Sequence, residues 1–123
     1  MISGVGIDTI EVERIATKMQ KEGFKDLVFS KTEINYCEGK THKYEHYAAR
    51  FAAKEAFFKA LGTGWLNGTA FNEVEIINDD KGKPTINFIG ATAVTVKTLQ
   101  LGPIHVSLTH LKATASAIVI IEK

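Results

Sequence analysis

Residues Lys43 to Leu61 carry the longest helical pattern in the chain, rich in Ala, Glu and Lys, free of Gly and Pro, and stopped by Gly62. At 3.6 residues per turn, Ala48, Phe51, Ala52, Glu55 and Lys59 fall on one stripe. Ala49, Ala53, Ala56 and Ala60 line another side, and small side chains there imply close packing against a neighbour. Whatever this chain folds into is organised around that helix.

The elements before it are short. Ile2 to Ile7 reads as a buried strand ending at Asp8, followed by a helical pattern from Ile10 to Glu22 closed by Gly23. Phe29-Ser30-Lys31-Thr32-Glu33 has the spacing of a capping box, with Ser30 as N-cap and Glu33 three residues on. After the long helix the period changes to that of strands. Phe71 to Asn78 and Thr85 to Ile89 flank the turn cluster Asp79-Asp80-Lys81-Gly82-Lys83-Pro84. Ala91 to Leu99 reads as a helix, and Ile104 to Thr109 with Ala113 to Ile121 as a second hairpin turning near Lys112. Helices early and strands late predict an α+β fold, a long helix packed on an antiparallel sheet, rather than a doubly wound parallel one.

At 123 residues, with no repeat or linker, the expectation is a single domain over residues 1–123, large enough for a core of its own. Cys37 is the only cysteine, which excludes an internal disulfide framework and a cysteine-rich zinc site. Fifteen Lys and Arg against fourteen Asp and Glu leave a formal charge of +1, which argues against a dedicated nucleic-acid binder. No window approaches the roughly 20 apolar residues of a membrane span. Met1-Ile2-Ser3-Gly4-Val5-Gly6 lacks the order of a secretory signal, so a soluble cytoplasmic protein is expected.

Several residues are placed for chemistry. Asp8, ending an apolar strand where a helix begins, is either an N-terminal helix partner or a hard-cation ligand. Glu55, on an otherwise small and apolar stripe, either pairs with Lys59 at i, i+4 or serves a site with it. Gly62-Thr63-Gly64 matches neither a dinucleotide fingerprint nor a Walker loop; it permits close approach to a ligand but also suits a helix end. Arg14, Lys18 and Lys21 recur at i, i+4 and i+7, as a solvated face or as a landing strip for an acidic helix. Alternation along Ile104 to His110 puts His110 on the side of Ile104, Val106 and Leu108, so either the strand ends before it or it has a specific partner. His42 and His46 lack an H-E-x-x-H pattern, and the loop at Asn78-Asp79-Asp80 lacks the bidentate Glu of a calcium hand. Cys37 reads as inert.

Taken in order, these segments resemble the holo-acyl-carrier-protein synthases, the small phosphopantetheinyl transferases. The resemblance rests on Gly4-Val5-Gly6-Ile7-Asp8 with Arg14, on Phe29-Ser30-Lys31-Thr32-Glu33, and on Arg50-Phe51-Ala52-Ala53-Lys54-Glu55-Ala56 running into Lys59-Ala60-Leu61-Gly62-Thr63-Gly64. Gly82-Lys83-Pro84 and Val106-Ser107-Leu108-Thr109-His110 complete it, so it spans nearly the whole chain. It implies transfer of 4′-phosphopantetheine from coenzyme A to a serine of an apo acyl carrier protein, leaving 3′,5′-ADP, as in fatty acid biosynthesis. It implies Mg²⁺ held by Asp8 and Glu55, and Lys59 stabilising or protonating the leaving nucleotide. Arg50, Lys54 and His110 are expected on the coenzyme A phosphates, with Gly62-Thr63-Gly64 and Gly82-Lys83-Pro84 approaching the nucleotide. Arg14, Lys18, Lys21 and Lys25 are expected to dock the acidic helix of the carrier. The same resemblance implies a homotrimer with its site between subunits. His105 adds a second histidine that the resemblance does not distinguish from His110, and Lys40-Thr41-His42-Lys43 matches only loosely. The alternatives are a non-catalytic coenzyme A or nucleotide-binding module of the same fold, and an RNA-binding domain, which lacks the aromatic platform usual for single strands.

Overall fold

The computed structural model describes residues 1–123. In chain order it contains β1 (Ile2–Glu11), α1 (Val12–Lys18), α2 (Phe24–Val28), α3 (Lys31–Glu38) and α4 (Lys43–Leu61). A single 3-10 turn (Phe71–Glu73) then leads into β2 (Val74–Asn78), β3 (Pro84–Phe88), α5 (Gly90–Thr98), β4 (Ile104–His110) and β5 (Thr114–Glu122). β5 is central in a three-stranded antiparallel sheet of order β1-β5-β4, and β2 and β3 form a separate antiparallel hairpin. The expected α+β class with antiparallel strands is what the chain adopts.

Alternation along β5 decides which face is covered. Ala115, Ala117, Val119 and Ile121 are buried, while Ser116, Ile118 and Ile120 between them are only half-buried. α4 lies on the covered face, and its alanines do what their small size predicted. A Cβ built at Gly6 would overlap the carbonyl oxygen of Ala56, and one at Gly4 that of Ala60. Strand and helix backbones therefore touch at a seam with no room for a side chain on β1. The C-terminal half of α4 packs Ala52, Ala53, Ala56, Phe57 and Phe58 against Val74, Ile76, Ala117, Val119 and Ile121. Its N-terminal half packs Tyr47, Ala48 and Ala49 against Val12, Ile15, Val28, Phe29 and Cys37. One helix thus joins two core clusters.

A buried charge sets the rotation of that helix. Lys54 has no exposed side-chain surface; its Nζ donates to Glu33 Oε1 at 2.7 Å, to the Val74 carbonyl at 2.7 Å and to the Phe71 carbonyl at 2.8 Å. Glu33 is the capping-box residue of α3: it accepts from the Ser30 amide at 3.0 Å, while its own amide donates to Ser30 Oγ at 3.2 Å. Its Oε2 also accepts from the Ile76 amide at 2.9 Å. Burial lowers the Lys54 ammonium from its usual range, and the Glu33 carboxylate opposes that shift. Every donor and acceptor is matched, the condition under which a buried ion pair is tolerated. The expectation that Lys54 meets a coenzyme A phosphate is thereby corrected, because its three donor positions are already filled inside the protein.

Other differences lie in where elements end. β1 runs to Glu11 rather than to Ile7, because pairing with β5 continues through Asp8 to Ala117, Ile10 to Ala115 and Glu11 to Thr114. Asp8 is therefore inside a strand and not at a helix start. α1 is correspondingly short and ends at Lys18, and Gly23, at φ 85°, opens the five-residue α2 rather than closing a long first helix. Phe71–Glu73 is helical and not strand, since Glu73 Oε1 accepts from the Thr92 amide and hydroxyl of α5 and Asn72 donates to the Asp26 carbonyl.

Gly6→Ala is expected to cost about 1–3 kcal/mol by overpacking the seam. Urea unfolding checks it: the midpoint should fall with an unchanged slope, and an unchanged midpoint would contradict the tight approach. Lys54→Met leaves Glu33 buried without its cation and is expected to cost about 3–5 kcal/mol in the same measurement.

Candidate active site

The seam between β1 and α4 brings the first group of residues together. Asp8 follows Gly6 on the helix-facing side of β1, and Glu55 precedes Ala56 on α4. Both carboxylates line one cavity of about 200 Å³ with Thr9, Ile10, Arg14, Lys18 and Phe51. Lys59, one turn beyond Glu55, donates to Asp8 Oδ1 and to the Ile7 carbonyl, each at 3.0 Å. The ammonium thus bridges to the strand instead of pairing with Glu55 along the helix. With 53% of its side chain exposed against 17% for Asp8, Lys59 remains open to a ligand.

Glu55 is the strained member. Burial raises its carboxyl above the ordinary value of 4.5, the neighbouring Asp8 charge adds to that, and Lys59 and Lys18 oppose it. Two carboxylates in one polar cleft, with no third acidic or histidine side chain to complete a cage, form an open donor set. Hard oxygen ligands of that number suit Mg²⁺, which keeps several waters and takes its remaining ligands from substrate phosphate.

A second group lies around the N-terminal half of α4. Arg50, five positions before Glu55, is rotated from it by about 140° around the helix and so faces α3 and β2. Its guanidinium is 2% exposed as a residue, stacks on Tyr36 at 4.1 Å and donates from Nη2 to Asn78 Oδ1 at 2.6 Å. Arg50 Nε has no partner. Asn78 Nδ2 in turn donates to the Gly82 carbonyl at 2.8 Å, and Asp79 Oδ1 accepts from the amides of Lys81 and Lys83, both at 2.9 Å. Arg50, Tyr36, Lys40, Asn78 and Gly82 share a polar cavity of about 410 Å³. Gly82-Lys83-Pro84, read from sequence as a nucleotide loop, is therefore tied to Arg50 through Asn78.

His110 ends β4 on the helix side and meets α4: its Nδ1 is 2.8 Å from Glu45 Oε1 and its ring lies 4.9 Å from that of His46. His46 approaches Tyr36 at 5.8 Å, which links His110 to the Arg50 cavity. His105 is elsewhere, on the open side of β4, bonded to Glu122 at 2.6 Å. Gly62-Thr63-Gly64 is not part of this wall: it starts twelve residues after Arg50, about 18 Å along the helix axis. There Gly62 ends α4 at φ 81° and Thr63 Oγ1 donates to the Gly64 carbonyl at 3.1 Å. The basic stripe also divides. Arg14 and Lys18 border the carboxylate cavity, Lys21 lies past the end of α1, and Lys25 is on α2, 4.0 Å from Glu38. Cys37 is fully buried and its thiol is pushed up to about 12, mainly by burial, in keeping with an inert side chain.

Sequence reasoning did not single out Tyr36, Glu45, His46 or Asn78 as members of these groups. His46 and Arg50 stand at i, i+4 on the long helix, a spacing that marks a shared face; nothing in the sequence marks Tyr36 or Asn78.

Comparison with known proteins identifies the family. The family model of the 4′-phosphopantetheinyl transferase superfamily matches residues 4–115. A holo-[acyl-carrier-protein] synthase of Solibacter usitatus is 43% identical over 124 residues, covering 99% of each chain. The crystal structure of the holo-[acyl-carrier-protein] synthase of Neisseria meningitidis superposes with a TM-score of 0.90 at 30% identity over 100% of both chains. That of the Bacillus anthracis synthase, in complex with CoA (3′,5′-ADP), superposes at 0.82 with 35% identity, over 100% of this chain and 98% of the other. A match of this extent shows the family: this chain is a member of the 4′-phosphopantetheinyl transferase superfamily, of the holo-[acyl-carrier-protein] synthase kind.

Proposed function

We infer that the chain transfers the 4′-phosphopantetheine group of coenzyme A to a serine of an apo acyl carrier protein. The observation that carries this reading is the convergence of Asp8, Glu55 and Lys59 at one cleft. In the reaction the serine oxygen bonds to the phosphorus that bears pantetheine. The bond from that phosphorus to the bridging oxygen breaks, 3′,5′-ADP leaves, and the serine proton is lost. Asp8 and Glu55 would hold Mg²⁺, which supplies positive charge to the pyrophosphate oxygens as negative charge builds there. Lys59, hydrogen-bonded to Asp8 and the Ile7 carbonyl yet half-exposed, stabilises or protonates the leaving oxygen. A module that only binds coenzyme A has no need of that convergence.

Arg14 and Lys18 border the same cleft, and Lys21 and Lys25 extend the positive surface toward α2. We assign these four to the acidic helix of the carrier protein, whose serine must reach the cleft. Arg50, Gly82-Lys83-Pro84 and His110 form the nucleotide wall, and Gly62-Thr63-Gly64 approaches the nucleotide from the other end of α4. Because the wall and the carboxylate cleft occupy opposite sides of one helix, a complete site is best built from the wall of one copy and the cleft of another. The open face of the three-stranded sheet suits such an assembly: Val5 is 53% and Ile7 63% exposed, beside half-buried Ile118 and Ile120. The homotrimer of single domains over residues 1–123, which the family resemblance implies, would pair wall and cleft in this way. No helix is long and apolar enough to cross a membrane, and coenzyme A and a carrier protein as substrates fit the cytoplasmic location expected from the sequence.

Mass spectrometry of an apo carrier tests the assignment directly. The carrier should gain the phosphopantetheine mass only with coenzyme A, Mg²⁺ and this protein together, and Glu55→Ala should remove the gain while leaving the fold intact. Transfer that persists in a chelator or in Glu55→Ala would contradict it. Glu55 also makes a pH prediction. Its folded carboxyl holds its proton more tightly than the unfolded one, so it destabilises the fold progressively as pH rises through and above the ordinary value of 4.5. Without metal, Glu55→Gln should melt above wild type at neutral pH, with the difference shrinking toward about pH 4.

A further inference from the structure

His110 is held from one side only. Its Nδ1 meets Glu45 Oε1 at 2.8 Å, while Nε2 has no partner in the chain. Glu45 is itself constrained, with 16% of its side chain exposed against 34% for the histidine. It stands in the first turn of α4, one position before His46, whose ring packs against His110 at 4.9 Å. Glu45 and His46 of α4 meet the ring itself. Tyr36 of α3, with Lys40 over its face, packs on His46, Arg50 acts on His46 from α4, and Lys112 of the β4–β5 turn lines a cavity with Glu45. Burial, then the His110 charge, lower His46 from its usual range. Glu45 is then the one carboxylate bonded to the ring.

We infer that Glu45 is a positioning residue, which accepts from His110 Nδ1–H and so aims the Nε2–H of the doubly protonated ring at the anionic group of the nucleotide. An ionised carboxylate can only accept, so the hydrogen bond specifies which ring nitrogen carries the proton. The same carboxylate stabilises the doubly protonated ring, the form in which Nε2 donates to a phosphate. Glu45 touches no substrate itself; it acts through His110. The inference rests on the transferase reading and on His110 as a nucleotide contact.

Glu45→Gln separates this from a merely structural role. Glutamine keeps the size and one acceptor but carries no charge, and its amide can donate to an unprotonated Nδ1, so the doubly protonated ring loses its partner. Long-range ¹⁵N spectra of the histidine rings, with His110 assigned by its loss in His110→Ala, should show His110 shifts moving in Glu45→Gln. Steady-state kinetics should show KM for coenzyme A rising about tenfold with kcat changed by less than about twofold. In a His110→Ala background, Glu45→Gln should add nothing further. Unmoved His110 shifts, an unchanged KM, or a full additional penalty in the His110→Ala background would each overturn the inference. If those results appear while wild type converts the carrier, the positioning role alone fails; a wild type that converts no carrier removes the transferase reading and this role with it.

Discussion

The glycine–alanine seam is the constraint on which the rest of the structure depends. Gly4 and Gly6 carry no side chain because the carbonyls of Ala60 and Ala56 occupy the space where a Cβ would stand. Backbones this close transmit position with little slack, since a tightly packed interface has no room for intermediate arrangements. Two residues past the seam on the strand is Asp8, and one residue before it on the helix is Glu55. The seam therefore presents two carboxylates, from segments more than forty residues apart in sequence, to one cavity, and Lys59 spans the gap back to Asp8 at 3.0 Å.

A helix held only by small apolar contacts would be free to turn about its axis. Lys54 supplies the missing restraint. Its three hydrogen bonds reach the capping-box glutamate of α3 and the carbonyls of Phe71 and Val74, on the side of α4 away from β1. Seam and buried pair act on opposite faces of the helix, so Glu55 is aimed by both. The same division explains why α4 serves two groups of residues. Its β1 side carries Glu55 and Lys59, while its α3 side carries Arg50 and, one turn earlier, His46 next to His110. In the proposed reading, chemistry and nucleotide recognition fall on separate faces of α4, and a second copy of the chain unites them.

The fold class was legible because the hydrophobic period changes from helical to alternating after Gly62, and both ends of α4 could be placed from its composition and its glycine stop. The capping box at Ser30 and Glu33 was equally plain. What the sequence did not reveal was decided by distant partners. β1 extends to Glu11 because β5 is there to pair with it, and α2 is a single turn of five residues, too short to leave a periodic signature. Glu55 and Lys59 shared a stripe and Asp8 was placed at a strand end, but only the family resemblance joined the three into one site. Lys54 was not distinguishable from them, since a lysine next to Glu55 reads the same whether it faces solvent or is enclosed by Glu33 and two carbonyls. Glu45 and Asn78 escaped for a related reason: each acts through another side chain, His110 or Arg50, that comes from a different part of the chain.

The account stands on two carboxylates sharing one hard cation. Mn²⁺ can stand in for Mg²⁺ at such a site and is visible by electron paramagnetic resonance, so a titration in the presence of coenzyme A reads the number of bound ions directly. Wild type should bind a single Mn²⁺ per chain, and Asp8→Asn and Glu55→Gln should each lose it. Binding that survives in both variants would contradict the account.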